Sequence, residues 1–260
     1  MTEPARASKP PRRRLRRALI GVGLVLAACL IAVVAAGAIL HEPRPLATGA
    51  DAEPLAARVE AAIDLPAWQR TGAIRWVFGG RHRHLWDRQA SLAEVRWGDM
   101  VARIRLRDQT GEAFEAGVRL EGQAAEAACR QAYGLWANDS FWLNPLEKLR
   151  DEGVALGVAA LEGGGEGLLV SFASGGVTPG DAYLYTLGND GRPVRWNMWV
   201  RIIPVGGIAV SWEGWTTLET GAVVATQHRA AGVTLELTEL QAAVTLADLT
   251  GGQDPFYRIR

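Results

Sequence analysis

His82 and His84 stand two residues apart. On a strand both would point to one side, so a two-histidine edge for a metal ion is geometrically available. A zinc centre also needs a third ligand and an orienting outer shell. No H-E-x-x-H motif and no cysteine pair supplies them, and Arg81 and Arg83 interleave with the histidines, which opposes a dication. The expectation is a surface strand, with no metal ligand and no cofactor assigned. Hydrolase and nucleotide signatures fail in the same way. G-x-S-x-G is absent, since Phe172-Ala173-Ser174-Gly175-Gly176 lacks the first glycine. Asp139-Ser140 beside an unplaced histidine is not a triad, because a triad is defined by geometry. Gly163 to Gly167 reads as a flexible turn rather than a dinucleotide loop. The only lysines are Lys9 and Lys148, neither in a phosphate loop. The chain reads as a non-enzyme with no catalytic residue.

The other chemically informative residues are aromatic. All ten tryptophans lie beyond residue 67, with five Phe and four Tyr in the whole chain. Tryptophan offers a wide apolar face and one N–H donor, which suits either core packing or a groove for a chain with a polar head. In the stretch from Val194, Trp196, Met198 and Val200 share one strand face; Trp199 and Arg201 share the other. Trp196 and Met198 are therefore preferred as groove lining, and Met198 adds an adaptable apolar surface. The full set expected to line an apolar groove is Trp76, Ile104, Trp142, Tyr185, Trp196, Met198 and Trp212. Arg103, Arg105 and Arg107 make a basic stripe that could meet anionic lipid heads or an acidic partner. A solvated face paired with neighbouring acids is the favoured reading.

These residues need strands to position them. Met100, Ala102, Ile104 and Leu106 alternate with Val101, Arg103, Arg105 and Arg107, the clearest strand pattern in the chain. Ile74, Trp76 and Phe78 make another. Leu156–Leu161 and Leu168–Ala173 flank a glycine run, and Asp181–Leu187 and Val194–Ile203 flank Asn189-Asp190-Gly191, both hairpin patterns. Ile208–Trp215, Ala222–His228 and Val233–Leu240 continue the series. Helices are few. Pro54 opens a short one carrying Leu55, Val59 and Ile63, ended by Pro66. Gln123–Ala137 is the strongest, stopped by Asn138-Asp139, with Ser140–Asn144 as a short aromatic strand. The pattern predicts an α+β, mainly β domain: a curved antiparallel sheet with few packing helices. A sandwich is the alternative, and the shortage of helices argues against parallel α/β.

Charge is uneven. Residues 1–17 hold seven Arg/Lys and one acid, and the remainder holds 21 basic and 27 acidic residues. A mildly acidic body argues against a nucleic-acid partner. Ala18 to Leu40 carries no charge over 23 residues, and as a helix would run roughly 35 Å, enough to span a bilayer. Five arginines before it would hold that end in the cytoplasm. The leading expectation is an uncleaved single-pass anchor in the inner membrane with the body outside the cytoplasm. Lipidation at Cys29, after Leu26-Ala27-Ala28, and ordinary cleavage are the alternatives, and each exports the body. The expected organisation is a basic tail (1–17), a transmembrane anchor (18–40), a proline-containing tether (41–54) and one extracytoplasmic domain (55–260).

Three stretches carry a family resemblance: Ala137-Asn138-Asp139-Ser140-Phe141-Trp142-Leu143 followed by Leu149-Arg150-Asp151-Glu152-Gly153-Val154, then Pro193-Val194-Arg195-Trp196-Asn197-Met198-Trp199, then Ser211-Trp212-Glu213-Gly214-Trp215. Over roughly residues 55–250 their order and spacing resemble exported proteins of the LolA/LolB-like superfamily, the lipoprotein-carrier fold. The resemblance implies a half-barrel: an incurved antiparallel sheet with helices in its mouth, enclosing a groove for acyl chains. Known carriers are free or lipidated, whereas this chain is expected to carry an anchor helix, and none of their functional residues transfers by position. The expected function is non-catalytic binding of an apolar ligand, a lipid or acylated segment, at the membrane. The alternative is an envelope module that docks a protein partner and fills its sheet interior with its own side chains.

Overall fold

Residues 40–174 and 179–260 are described by a computed structural model. The basic tail and the expected anchor, apart from Leu40, lie outside the described residues. Among the described residues no helix is long and apolar enough to cross a membrane.

Alternating apolar residues build antiparallel sheets, with few helices. After two short helices, α1 (Glu53–Ala62) and α2 (Leu65–Arg70), six strands follow as a meander: β1 (Ala73–Phe78), β2 (His82–Asp87), β3 (Leu92–Trp97), β4 (Met100–Arg105), β5 (Gly111–Glu115) and β6 (Val118–Arg119). The long helix α3 (Gly122–Leu143) and a 3₁₀ turn (Pro145–Lys148) lead to a second meander, β7 (Val154–Ala160), β8 (Glu166–Phe172), β9 (Ala182–Leu187), β10 (Pro193–Trp199) and β11 (Ile208–Ser211). A small ribbon, β12 (Thr216–Thr217) with β13 (Val223–Val224), precedes β14 (Gln227–Ala230), β15 (Val233–Ala243) and a last short helix, α4 (Leu246–Thr250). The order β14-β15-β1-β2-β3-β4-β5-β6 makes an eight-stranded sheet, and β11-β10-β9-β8-β7 a five-stranded one. A Glu213–Gln227 bridge links the chain after β11 to β14. The strands do not close into a barrel.

Helix α3 joins the two halves of the interior. Its Ala128, Cys129 and Ala132 pack on Ala93, Val95, Ala102, Ile104 and Ala113 of the large sheet. Small residues on both surfaces let helix and sheet approach closely, so that dispersion contacts are dense. One turn on, Trp136 meets Trp86 edge to face at 5.2 Å. The last turns then carry Phe141 and Trp142 onto the small sheet.

Two expectations from sequence change here. The helix does not stop at Asn138-Asp139, and residues 140–143 are its final turn rather than a strand. What stops it is Pro145, which disfavours a helical conformation at Asn144, found at φ −159° and ψ 79°. Pro66 begins α2 instead of only ending α1. Asp64 adopts a left-handed conformation (φ 47°) and its carboxylate accepts the Ala67 N–H, capping the new helix. Strands β3 and β5 were not read from the sequence. Residues 41–48 run along the small sheet: Glu42 N–H donates to Gly206 O (3.1 Å), Thr48 N–H to Val158 O (2.8 Å) and Trp199 Nε1–H to Glu42 O (2.8 Å).

Candidate functional site

The small sheet turns one face towards α3. Leu168, Val170 and Phe172 on β8, Tyr183 and Tyr185 on β9, and Trp196 and Met198 on β10 alternate inward, as period 2 requires. Trp196 is the hub. Its ring centroid lies 4.6 Å from Tyr183, 5.1 Å from Trp142, 5.1 Å from Trp212, 5.6 Å from Tyr185 and 6.0 Å from Phe141. His228 completes the cluster, 4.6 Å from Trp212 and 5.3 Å from Trp142. Burial pulls the His228 imidazole down to about 4, so it stays neutral at ordinary pH. Burial, reinforced by the Asp181 carboxylate, pushes the Tyr183 phenol up.

Beside this cluster the end of α3 and the small sheet leave a cavity of about 270 Å³. Its walls are Phe141 and Trp142 from the helix, and Phe172, Tyr183, Trp196, Met198 and Val200 from the sheet side. Asn138, Lys148, Asp151 and Glu152 form a polar rim, and Ile202, 76% exposed, stands at the mouth. An apolar interior with a few polar groups at one edge is the composition of a pocket for an amphipathic small molecule.

Five of the seven residues expected to line a groove come together here. Trp142, Trp196 and Met198 line the cavity, and Tyr185 and Trp212 pack behind it. The structure places the other two elsewhere: Trp76 stacks on His84 in the large sheet, and Ile104 packs under the α3 alanines. Trp199 faces away from the cavity, held by its bond to Glu42. Sequence reasoning missed Phe141, Phe172 and Tyr183. Phe172 and Tyr183 were recoverable, because each is two residues from an inward neighbour on its strand.

The histidine pair is not on a surface face. His84 is buried, and the side chain of His82 is 23% exposed. Both turn towards α3, where Asp139, fully buried, meets them: Oδ2 lies 2.7 Å from His82 Nδ1 and 2.7 Å from His84 Nε2. Asn138 Nδ2 donates to the other carboxylate oxygen at 2.8 Å. Burial lowers the pKa of His84, opposed by its bond to Asp139. The interleaved arginines do not crowd this cluster. Arg83 lies across the sheet, paired with Glu239 at 2.6 Å, and Arg81 is exposed.

The opposite face of the large sheet bears a broad trough of about 850 Å³. Its charges are matched: Arg103 bonds Glu94 (2.7 Å) and Glu112 (3.0 Å), and Arg96 bonds Glu94 (2.8 Å). Of the expected basic stripe, Arg103 is thus neutralised by acids, and Arg105 donates to Thr110 at 3.1 Å.

Fold and site together define an antiparallel two-sheet β domain whose long helix closes an aromatic cavity against the smaller sheet. No family model matches the sequence, and no curated protein matches it. Among solved structures the chain is similar to a DUF1329 family protein from Desulfovibrio piger ATCC 29098, at 13% identity and a TM-score of 0.38. The similarity covers 74% of this chain and 95% of that one.

Proposed function

We propose that this protein is a non-catalytic, membrane-anchored binder of an apolar ligand, a lipid or an acylated segment. We read the two sheets as the walls of a half-barrel with α3 in its mouth. Residues 18–40 would anchor the domain, placing it outside the cytoplasm within reach of the bilayer. The observation that carries the reading is the aromatic cavity between Phe141-Trp142 and the small sheet, with its polar rim. A methylene fills roughly the 30 Å³ of a liquid water, so the cavity of 270 Å³ holds a chain of about nine. Burying nine methylenes is worth about 7 kcal/mol before ordering costs. That supports reversible, exchangeable binding rather than a permanent cofactor.

Native mass spectrometry of the full chain released from detergent tests this. The expected spectrum carries a lipid-mass adduct that organic solvent removes and added fatty acid restores. A clean mass with no uptake of added lipid would sink the proposal. A second reading, a module that docks an envelope protein, draws on the open trough of paired charges across β1–β4. A clean mass together with a specific crosslinked partner on that face would favour it.

A further inference from the structure

We propose that His82, His84 and Asp139 bind a zinc ion. This inference does not rest on the apolar-ligand reading, although Asn138, on the cavity rim, also holds the Asp139 carboxylate.

Geometry brings the three side chains together. His82 and His84 leave β2 on one face, and Asp139 reaches them from the last third of α3. Their ligand atoms, His82 Nδ1, His84 Nε2 and Asp139 Oδ2, all lie within 4.8 Å of one another. A tetrahedral zinc site spaces neighbouring ligand atoms about 3.3 Å apart, given metal–ligand bonds near 2.0–2.1 Å. The two 2.7 Å contacts to Asp139 therefore need to open by only about half an ångström, within reach of small side-chain rotations. Two imidazoles and one carboxylate form a donor set that zinc accepts, with one position left for water or another ligand. That position lies on the His82 side, the one part of the cluster that meets solvent.

Charge points the same way. Asp139 is fully buried, and among the described residues no arginine or lysine pairs with it. A buried aspartate beside two imidazoles, with no cationic side chain on it, is a donor set that a dication can complete. An outer shell is also present. Asn138 Nδ2 holds Asp139 Oδ1 at 2.8 Å and leaves Oδ2 for the metal. The Trp76 ring stacks on His84 at 4.4 Å and 16°, and Phe78 stacks on His82 at 6.2 Å and 10°, fixing both imidazole planes. His84 Nδ1 has no protein partner, whether Nε2 gives a hydrogen bond or a metal bond.

The test is cobalt and zinc titration of the chelator-treated full chain, read by the visible bands of cobalt in a low-symmetry site. One equivalent of cobalt should bind, and one of zinc should displace it. His82→Gln and Asp139→Asn should each weaken binding by more than the roughly 10–100-fold typical of an outer-shell change. Zinc should raise the melting temperature of the wild type and of neither variant. A folded wild type that shows no stoichiometric cobalt bands overturns the proposal. So does binding that survives both substitutions. Should the variants not fold, X-ray absorption of the zinc-loaded wild type decides: two imidazoles around zinc support the site, and none refutes it.

Discussion

Met198 gives the sharpest test of the cavity as a measuring device for chain length. It lies on the inner face of β10, 9% exposed, and forms part of the cavity wall. Met198→Ala removes its terminal thioether atoms and enlarges the space by about three methylene equivalents, if each occupies roughly 30 Å³. The wild-type cavity holds about nine methylenes. Affinity for saturated fatty acids should therefore rise about fourfold per added carbon, at about 0.8 kcal/mol per buried methylene. The rise should flatten once the chain outgrows the cavity. In Met198→Ala the same slope should continue for about three more carbons before flattening. The variant should also lose about 2–5 kcal/mol of stability in its ligand-free form, and long chains should restore part of that loss. Calorimetric titration of a homologous fatty-acid series against both proteins measures the two curves. A flat dependence on chain length in the wild type, or a breakpoint unmoved by the substitution, would refute the reasoning.

Three further predictions concern stability. Trp196→Ala empties the centre of the aromatic cluster and should cost about 3–5 kcal/mol. Trp199→Ala, on the other face, loses one hydrogen bond to Glu42 and partial packing on Leu169 and Leu184 and should cost less, about 1–2 kcal/mol; equal costs in urea denaturation would contradict the assignment of faces. His228, buried and neutral, has a folded-state pKa of about 4 against an ordinary 6.5, so the unfolded chain binds its proton more readily. Its contribution is intact above pH 6.5 and fades as pH falls towards 4, by about 3 kcal/mol in all. Denaturation at stepped pH should show that loss in the wild type, and an unchanged slope in His228→Phe would remove His228 as its source. Arg88 bonds Glu147 at 2.8 Å and Thr71 O at 2.7 Å, under Trp68. Arg88→Met should cost about 3–5 kcal/mol by leaving Glu147 with no guanidinium, and the Arg88→Met/Glu147→Leu double variant should recover part of it; a double variant no better than the single would count against this pair.

Much of the small sheet was legible in the sequence because its signals are local. Gly163 to Gly165 and Asp190-Gly191 mark hairpins, and period 2 separates Trp196 and Met198 from Trp199. The end of α3 was misread because Asn138 and Asp139 have poor helix propensity, while tertiary contacts hold them in the helix. Asp139 is occupied by two histidines, and Phe141 and Trp142 by the small sheet. Trp76 and Ile104 show a different limit. Alternation tells which residues share a face, but not which sheet that face belongs to. The histidine–aspartate cluster was invisible for a third reason. Asp139 is 55 residues from His84, and only the packing of α3 across β2 to β5 brings them together. Arg81 and Arg83 argued against a dication on the sequence, yet a strand sends Arg83 to the opposite side.

The central claim is that an apolar chain occupies the space between α3 and the small sheet. A fatty acid carrying a diazirine near its methyl end, irradiated with the full chain and mapped by peptide sequencing, tests it most directly. The account predicts labels on Phe141–Trp142 and on the Met198–Ile203 stretch, competed away by unlabelled fatty acid. Labels confined to the shallow groove between Arg44–Ala47 and the outer side of β7, or labels that competitor does not reduce, would contradict it.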